Sequence, residues 1–286
     1  MNSEQDILEN LPEFLSKSFL PSPPEILIKI RQADSDLERI SKVINADMGL
    51  CASVLKTINS PFYGLKNKVI SIPQAVTLLG LKSVMSIVNA HLLLVEMKSG
   101  EYATILDDFW HLSNTIAETC VVVAKALNYP ATEDVYVMGL FHDAGVPMML
   151  KRFTDALDTL QSAYRQSELR ITDIENQNYN CNHAVIGYLI AKSWHLPQEI
   201  RNVIRDHHNL EQLTLGLSEE TNTNTLRVIL KISEYISNAH QVLGGHPVNH
   251  EWDKIKPYVL EYLGFSEPDF EDLEDYVHEQ MGLVPA

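Results

Sequence analysis

The residues best suited to chemistry are the adjacent pair His142 and Asp143, within Met138-Gly-Leu-Phe-His-Asp-Ala-Gly145. The apolar run 135–141 before them predicts a position near a core, where an unpaired carboxylate is costly. Adjacent residues on a helix differ in direction by about 100°, so a His and an Asp can flank one cavity and share a metal ion. The dipeptide alone is weak support for a site, because His-Asp occurs by chance in many proteins.

Four further histidines lie on or beside predicted helices. His111 falls near the start of an amphipathic helix, and His183 begins another. His207 and His208 continue the buried side of a helix that opens at Pro197. The other histidines that we considered are interpreted as ordinary hydrogen-bonded residues: His195, His240, His246, His250 and His278.

Five histidines and one Asp on four helices could converge on a single cavity of a helical bundle. Imidazole and carboxylate groups suit Fe, Mn, Zn or Ni, and spacing alone does not choose among these metals. A single His on an apolar face is more often a hydrogen-bonded core residue than a ligand. A helical scaffold whose buried histidines bind no metal therefore stays open.

The elements that must position these residues are helices, since the dominant hydrophobic period is helical and useful alternating strand patterns are absent. We predict an all-α protein with an N-terminal helical lobe over residues 1–100 and a second, HD-like helical lobe over 101–286. Six helices are predicted in the second lobe, over residues 105–127, 133–150, 153–165, 183–194, 198–207 and 225–240.

Composition limits the partners and the compartment. The chain has 22 basic and 38 acidic residues, a formal net charge of -16, and no dense Lys/Arg stretch, which argues against nucleic acid and anionic membranes as partners. Three cysteines without a C-x-x-C spacing favour a reducing compartment. The polar, acidic N-terminus is not typical of a secretory signal, and the apolar stretches look too short or interrupted to cross a bilayer. We expect a cytoplasmic protein.

Several motifs, spread over roughly residues 15–240, closely resemble the HDOD domain, a bacterial relative of the HD phosphohydrolases. The most specific is Asn59-Ser-Pro-Phe-Tyr-Gly64. The others are Leu20-Pro-Ser-Pro-Pro-Glu-Ile26, Ile44-Asn-Ala-Asp-Met48, Ile70-Ser-Ile-Pro-Gln-Ala75, Leu78-Leu-Gly-Leu81, Trp110-His111, His142-Asp143, Trp194-x-x-Pro197 and His207-His208.

The resemblance implies a set of metal ligands. His111, His142 and Asp143 correspond to first-metal ligands of the HD superfamily, and Asp143 would bridge two ions. The additional ligands of two-metal members correspond to His183, His207 and His208. The last family carboxylate is an Asp, and this sequence has Glu234 at that place. The resemblance thus implies one or two divalent ions, with Asp143 and His142 as the catalytic residues if the protein is an enzyme.

Two departures bear on catalysis. The relatives that hydrolyse cyclic di-GMP resemble H-D-x-G-K, and Val146 stands here in place of the Lys. They also carry Gly-Tyr-Pro after the paired histidines, where this chain has Asn209-Leu-Glu-Gln-Leu213. Both departures argue against cyclic-dinucleotide hydrolysis of that kind.

Two functions follow from the resemblance. The favoured one is a bacterial signal-transduction module that retains a metal-ligand cluster and receives its signal from a protein partner or a small phosphorylated ligand. The alternative is a metal-dependent phosphohydrolase that acts on a phosphoester or nucleotide. Metal content and phosphatase assays would separate these functions from each other and from the metal-free scaffold.

Overall fold

The computed structural model describes residues 23–33, 36–59, 65, 67–97, 103–130, 132–209 and 221–282. Over these residues the chain is all-α, as predicted, and contains no strand. The chain divides into two compact units. One spans Pro21–Glu101, and the main part of the other spans Tyr102–Ala286.

The described helices of the first unit are α1 (Glu25–Gln32), α2 (Leu37–Ala46), α3 (Met48–Ile58) and α4 (Ile72–Met97). Helices α2 and α3 follow each other closely, and each begins at an Asp that accepts hydrogen bonds from free backbone N–H groups. Asp36 accepts from the N–H groups of Glu38 and Arg39, and Asp47 accepts from that of Leu50. Both helices pack against α4.

The Asn59–Gly64 motif lies mostly outside the described residues, which include only Asn59 of it. The side chain of Asn59 donates to the carbonyl oxygens of Leu55 and Val69, at 2.8 and 2.7 Å. It also accepts from the N–H of Val69 at 2.8 Å. This amide therefore fixes the end of α3 to the segment that leads into α4.

Helix α4 is the one helix in the described part of the chain that is long and apolar enough to cross a membrane, with a mean hydropathy of 1.5 over Ile72–Leu93. Its length differs from the expectation that such stretches are too short, whereas the interruption that was the other part of the expectation is present at Gly80. Gly80 interrupts the helical geometry with φ 81° and ψ 160°. Val84 and Val88 are fully buried, so packing against α2 and α3 accounts for part of its apolar character.

The second unit contains eleven described helices. They are α5 (Ala103–Ala126), α6 (Thr132–Phe141), α7 (Val146–Arg152), α8 (Ala156–Tyr164), α9 (Ile171–Tyr179), α10 (His183–Ser193), α11 (Gln198–Asp206), α12 (Asn222–Ile236), α13 (Ala239–Gly244), α14 (His250–Leu263) and α15 (Glu267–Met281). Helix α5 packs against α6 and α12, and α10 packs against α11. The core between them includes Ile116, Met138, Phe141, Ile190 and Trp194.

The structure corrects the prediction of one helix over 133–150. Helix α6 ends at Phe141, residues 142–145 form a turn, and α7 begins at Val146. Hydrogen bonds from the N–H of Ala144 to Phe141 O and from the N–H of Val146 to Asp143 O close this turn. His142 and Asp143 therefore project from a turn between two helices, which the continuous apolar pattern of 135–150 did not reveal.

Candidate metal centre

Two glycines allow the His142–Gly145 turn to lie deep in the second unit. A Cβ atom on Gly139 would be 2.7 Å from Cα of Ala117 on α5. A Cβ atom on Gly145 would overlap the backbone of His183 at the start of α10. Both distances are shorter than packed atoms tolerate, so only glycine permits α5, α6 and α10 to approach this closely.

His183 is the first residue of α10, and two side chains fix its position. Asn182 caps the helix by accepting from the N–H of Val185 at 2.9 Å. Glu175, on α9, accepts from the backbone N–H of His183 at 3.0 Å and lies 2.7 Å from its Nδ1. The carboxylate of Glu175 therefore sets the orientation of the imidazole and leaves Nε2 directed away from α9.

His207 and His208 follow the last residue of α11 and are both buried. Nδ1 of His207 donates to the carbonyl oxygen of Ile204 at 2.6 Å. Nδ1 of His208 lies 2.7 Å from Oε2 of Glu251, at the start of α14. The sequence predicted that both imidazoles are on the buried side of this segment, and their burial agrees with that prediction.

Nε2 atoms of three imidazoles surround the carboxylate of Asp143. Oδ2 of Asp143 lies 3.2 Å from Nε2 of His142, and Oδ1 lies 3.4 and 3.3 Å from Nε2 of His183 and His207. Ligand atoms of Asp143, His183, His207 and His208 all lie within 4.8 Å of one another. Nδ1 of His142 contacts the carbonyl oxygen of Gly139 at 2.6 Å, which leaves its Nε2 as the inward-facing atom.

Three buried atoms of this group have no hydrogen-bond partner among the described residues: Nε2 of His142, Oδ1 of Asp143 and Nε2 of His208. Buried polar atoms without partners are rare, and an ion is one of the few explanations for several of them at one point. Three imidazoles and one carboxylate are donors that first-row transition metals accept. The residues present therefore fit a metal ion, as the sequence predicted for a His/Asp cluster.

The electrostatics of the cluster also favour ligation. Burial opposes charge on Asp143, but His142, His207 and His183 together hold the pKa of its carboxyl well below the ordinary value. Burial, followed by the charge of His208, lowers the pKa of His207 to about 3. Burial, followed by the charge of Lys231, also lowers the pKa of His208. At neutral pH the carboxylate is ionised and these two imidazoles are neutral, which are the states that bind metal.

His183 behaves differently, because a carboxylate lies beside it. Burial would lower its pKa, yet Glu175 raises it to about 9. A metal ion at Nε2 would therefore displace a proton from this imidazole at neutral pH. Glu175 would keep the Nδ1 proton and increase the basicity of the ligand, as carboxylate partners of metal-bound histidines do.

A buried lysine lies beside the cluster. Nζ of Lys231, on α12, lies 2.7 Å from Oε2 of Glu234 and 2.6 Å from Oε1 of Glu251. Burial disfavours its charge, but these two carboxylates raise the pKa of the ammonium group. The other oxygen of Glu234 lies 3.5 Å from Nε2 of His142. The predicted residue Glu234 therefore borders the cluster, although it also binds a lysine.

His111 is the predicted ligand that the structure does not bring to the cluster. It lies on the exposed side of α5, between the buried residues Trp110 and Leu112. Cys120, further along the same helix, is buried near Glu234. Burial raises the pKa of its thiol to about 12. The order of residues on α5 thus directs His111 to solvent, and we leave it out of the ligand set.

Three residues of the site were not predicted as such: Glu175, Lys231 and Glu251. Each is charged and lies within a few residues of apolar positions that are buried. For Lys231 the signal was available, since it interrupts the apolar run 228–232. The two carboxylates could not be recognised, because they meet their histidines from positions 8 and 43 residues away.

The space beside the cluster is small. A cavity of about 20 Å³ lies between His142, Asp143, Tyr164, Lys231 and Trp252. This volume suffices for about one water molecule or one ion. His240, interpreted from the sequence as an ordinary hydrogen-bonded residue, lines the same cavity, and its Nε2 lies 3.3 Å from the carbonyl oxygen of Pro247.

Most of the chain matches a known domain family. The profile of the HDOD domain matches residues 20–210, about two thirds of the chain. An uncharacterized protein of Treponema pallidum (strain Nichols) is 27% identical over 210 residues, which are 72% of this chain and 39% of that protein. The chain thus spans about two fifths of the length of this curated relative.

Solved structures share the fold. An HDOD domain protein of unknown function from Geobacter sulfurreducens has a TM-score of 0.63 and 20% identity, and the match covers 96% of both chains. A protein of Shewanella amazonensis SB2B, provisionally described as a metal-dependent phosphohydrolase, has a TM-score of 0.62 and 18% identity. That match covers 98% of this chain and 99% of the other.

Proposed function

Because the chain belongs to the HDOD domain family, we propose that it is a regulatory module that binds a divalent transition-metal ion through Asp143, His183, His207 and His208. One observation carries this proposal: ligand atoms of these buried side chains lie within 4.8 Å of one another, and two of them, Oδ1 of Asp143 and Nε2 of His208, have no hydrogen-bond partner in the described part of the chain. Their outer nitrogens are already held by carboxylates or by a backbone carbonyl. Such support orients ligands before the ion arrives.

The donor set restricts the metal. Three imidazoles and one carboxylate suit Fe, Mn, Zn or Ni, whereas Mg²⁺ and Ca²⁺ prefer oxygen ligands. When bound, the ion would supply Lewis acidity and a fixed positive charge at the centre of the second unit. Asp143 would hold the ion, and its Oδ2 lies 3.2 Å from Nε2 of His142.

One sequence departure supports regulation over cyclic-dinucleotide hydrolysis. Val146 replaces the phosphate-binding Lys of cyclic-dinucleotide hydrolases. We therefore propose that the metal stabilises one conformation of the module, and that the signal is exchanged with a separate protein partner or a small phosphorylated ligand in the cytoplasm.

A metal-dependent phosphohydrolase is the second candidate function. It is favoured by the cavity that Asp143 and His142 line beside the proposed ion. Since Lys231 is already paired with Glu234 and Glu251, the ion itself would supply the positive charge that attracts a phosphoryl group. In this case Asp143 would hold the metal, and Nε2 of His142 would contact the reacting water or leaving group.

One experiment separates the two functions. The full chain is reconstituted with Mn²⁺, Fe²⁺, Zn²⁺ or Ni²⁺, and both thermal melting and hydrolysis of bis-p-nitrophenyl phosphate and cyclic di-GMP are measured. A regulatory module gains roughly 3 kcal/mol of stability at a metal concentration a hundred times Kd and hydrolyses neither compound. Hydrolysis that disappears in Asp143→Asn would establish the phosphohydrolase instead. A melting temperature that no metal raises would contradict both.

A further inference from the structure

We propose that the ammonium group of Lys231 takes the place of a second metal ion, so that the site binds one divalent ion per chain. This inference rests on the proposed function, because it presumes that the first ion binds at Asp143, His183, His207 and His208. It concerns the opposite side of Asp143, where His142 and Glu234 lie.

Among the described residues, that side offers three donors: Nε2 of His142, Oδ2 of Asp143 and Oε1 of Glu234. The Asp143 oxygen lies 3.2 Å and the Glu234 oxygen 3.5 Å from the imidazole nitrogen. His111, the other first-metal imidazole that the family resemblance implies, is exposed on α5. A structural site for an ion such as Zn²⁺ uses four protein ligands, and a site with three keeps an open position, so a second ion here would depend fully on Glu234.

The carboxylates that could complete it are occupied by Lys231. Its Nζ lies 2.7 Å from Oε2 of Glu234 and 2.6 Å from Oε1 of Glu251. Oε2 of Glu251 in turn contacts Nδ1 of His208 at 2.7 Å. Glu251 thus contacts both Lys231 and His208, which is a ligand of the first ion. The carboxylate of Glu251 cannot turn toward a second ion without breaking these two contacts.

Displacement of the lysine would also be costly. The side chain of Lys231 is 3% exposed, against 13% and 18% for Glu234 and Glu251. Removal of one partner from a buried ion pair typically costs several kcal/mol, because the other charge stays buried without compensation. Lys231 therefore stays in place when the first ion binds.

The test is the metal stoichiometry of the full chain, measured by titration with Zn²⁺ and Mn²⁺ and by elemental analysis after desalting. Wild type should bind one ion per chain. Lys231→Met should bind two, because Glu234 and Glu251 become free to complete a site with His142 and Asp143. Lys231→Arg keeps the charge and should bind one. Circular dichroism checks that each variant is folded.

Each outcome decides between specific claims. Two ions in wild type, or one ion in folded Lys231→Met, would overturn this inference and leave the proposed metal site intact. No ion in wild type would overturn the proposed function itself. If Lys231→Met does not fold, Glu234→Gln serves instead. This variant should still bind one ion, with the affinity changed less than about threefold. Loss of the ion would make Glu234 a ligand and overturn the inference.

Discussion

Gly145 and His183 are in such close contact that a side chain on Gly145 would overlap the carbonyl oxygen of His183 and place Cβ 2.7 Å from its carbonyl carbon. Gly145 ends the turn that carries Asp143, and His183 begins α10. The approach of these two backbones is what brings the carboxylate to within 3.4 Å of Nε2 of His183. The glycine of His-Asp-Ala-Gly is thus part of the site, although it contributes no ligand atom.

Gly145→Ala should therefore disrupt the site. The added methyl group forces the turn and α10 apart, and we expect a loss of about 2 kcal/mol or more in the free energy of unfolding, together with weaker metal binding. Urea denaturation and metal titration measure the two effects. Gly49→Ala, on the exposed side of α3, is the control: it should leave metal binding unchanged and change the free energy of unfolding by about 1 kcal/mol at most. Equal stability of the two variants would show that the backbones can separate without cost.

Glu175→Gln should weaken metal binding while the fold is preserved. The amide can still contact the N–H and Nδ1 of His183, but it removes the negative charge that increases the basicity of the imidazole. Loss of such a partner typically reduces metal affinity by about 10- to 100-fold. Competition with a chelator measures this affinity, and Glu168→Gln, at an exposed position, is the control. An unchanged affinity would mean that His183 is not a ligand.

The metal-free protein should lose stability as the pH falls from about 6.5 toward 4. Burial holds the pKa of His207 at about 3 in the folded chain, against 6.5 ordinarily. In this window the unfolded chain binds a proton that the folded chain does not, so acid favours unfolding. His183 acts oppositely: its raised pKa of about 9 stabilises the folded chain as the pH falls from 9 to 6.5, and this contribution is complete below that range.

Melting temperatures of the metal-free protein at pH 7, 6 and 5 test this sign. Wild type should melt at progressively lower temperature, and His207→Gln, which has no group to titrate at that position, should show a smaller decrease. Identical decreases in the two proteins would assign the acid sensitivity to other groups.

Asn59→Ala should destabilise the first unit without changing metal content. The substitution removes three hydrogen bonds that join the end of α3 to Val69 and Leu55, at a cost of about 1–3 kcal/mol. Hydrogen exchange of residues in α3 and α4 reports on this unit, and Asn67→Ala, at an exposed position, is the control. Unchanged protection in α3 and α4 would remove the structural role of this amide.

Much of the fold was predictable, because local hydrophobic periodicity and capping residues indicate where helices lie. Helix α11 was predicted at 198–207 and lies at Gln198–Asp206. The prediction of one continuous helix over 133–150 was wrong, since two helices lie there. Apolar residues flank the buried turn on both sides, at 135–141 and 146–150, so the hydrophobic periodicity alone does not reveal the break. Gly145 and Pro147 were the local signals for it.

The candidate site was predictable only where ligands lie in recognisable motifs. His142, Asp143, His183, His207 and His208 were identified, and the structure places their side chains together. The structure does not bring His111 to this cluster, because the direction of one residue on a long helix depends on its packing and not on the neighbouring motif. Glu175, Lys231 and Glu251 act through contacts with residues distant in sequence, and such contacts leave no local pattern.

The location of the bound metal is the most direct test of the central claim. Crystals of the reconstituted full chain would be measured at the absorption edge of the bound element, and anomalous difference density would locate it. We predict a single strong peak in contact with the carboxylate of Asp143 and with Nε2 of His183, His207 and His208. A peak only at surface histidines, such as the adjacent His246 and His250, or none after reconstitution, would contradict the claim that this cluster is a metal centre.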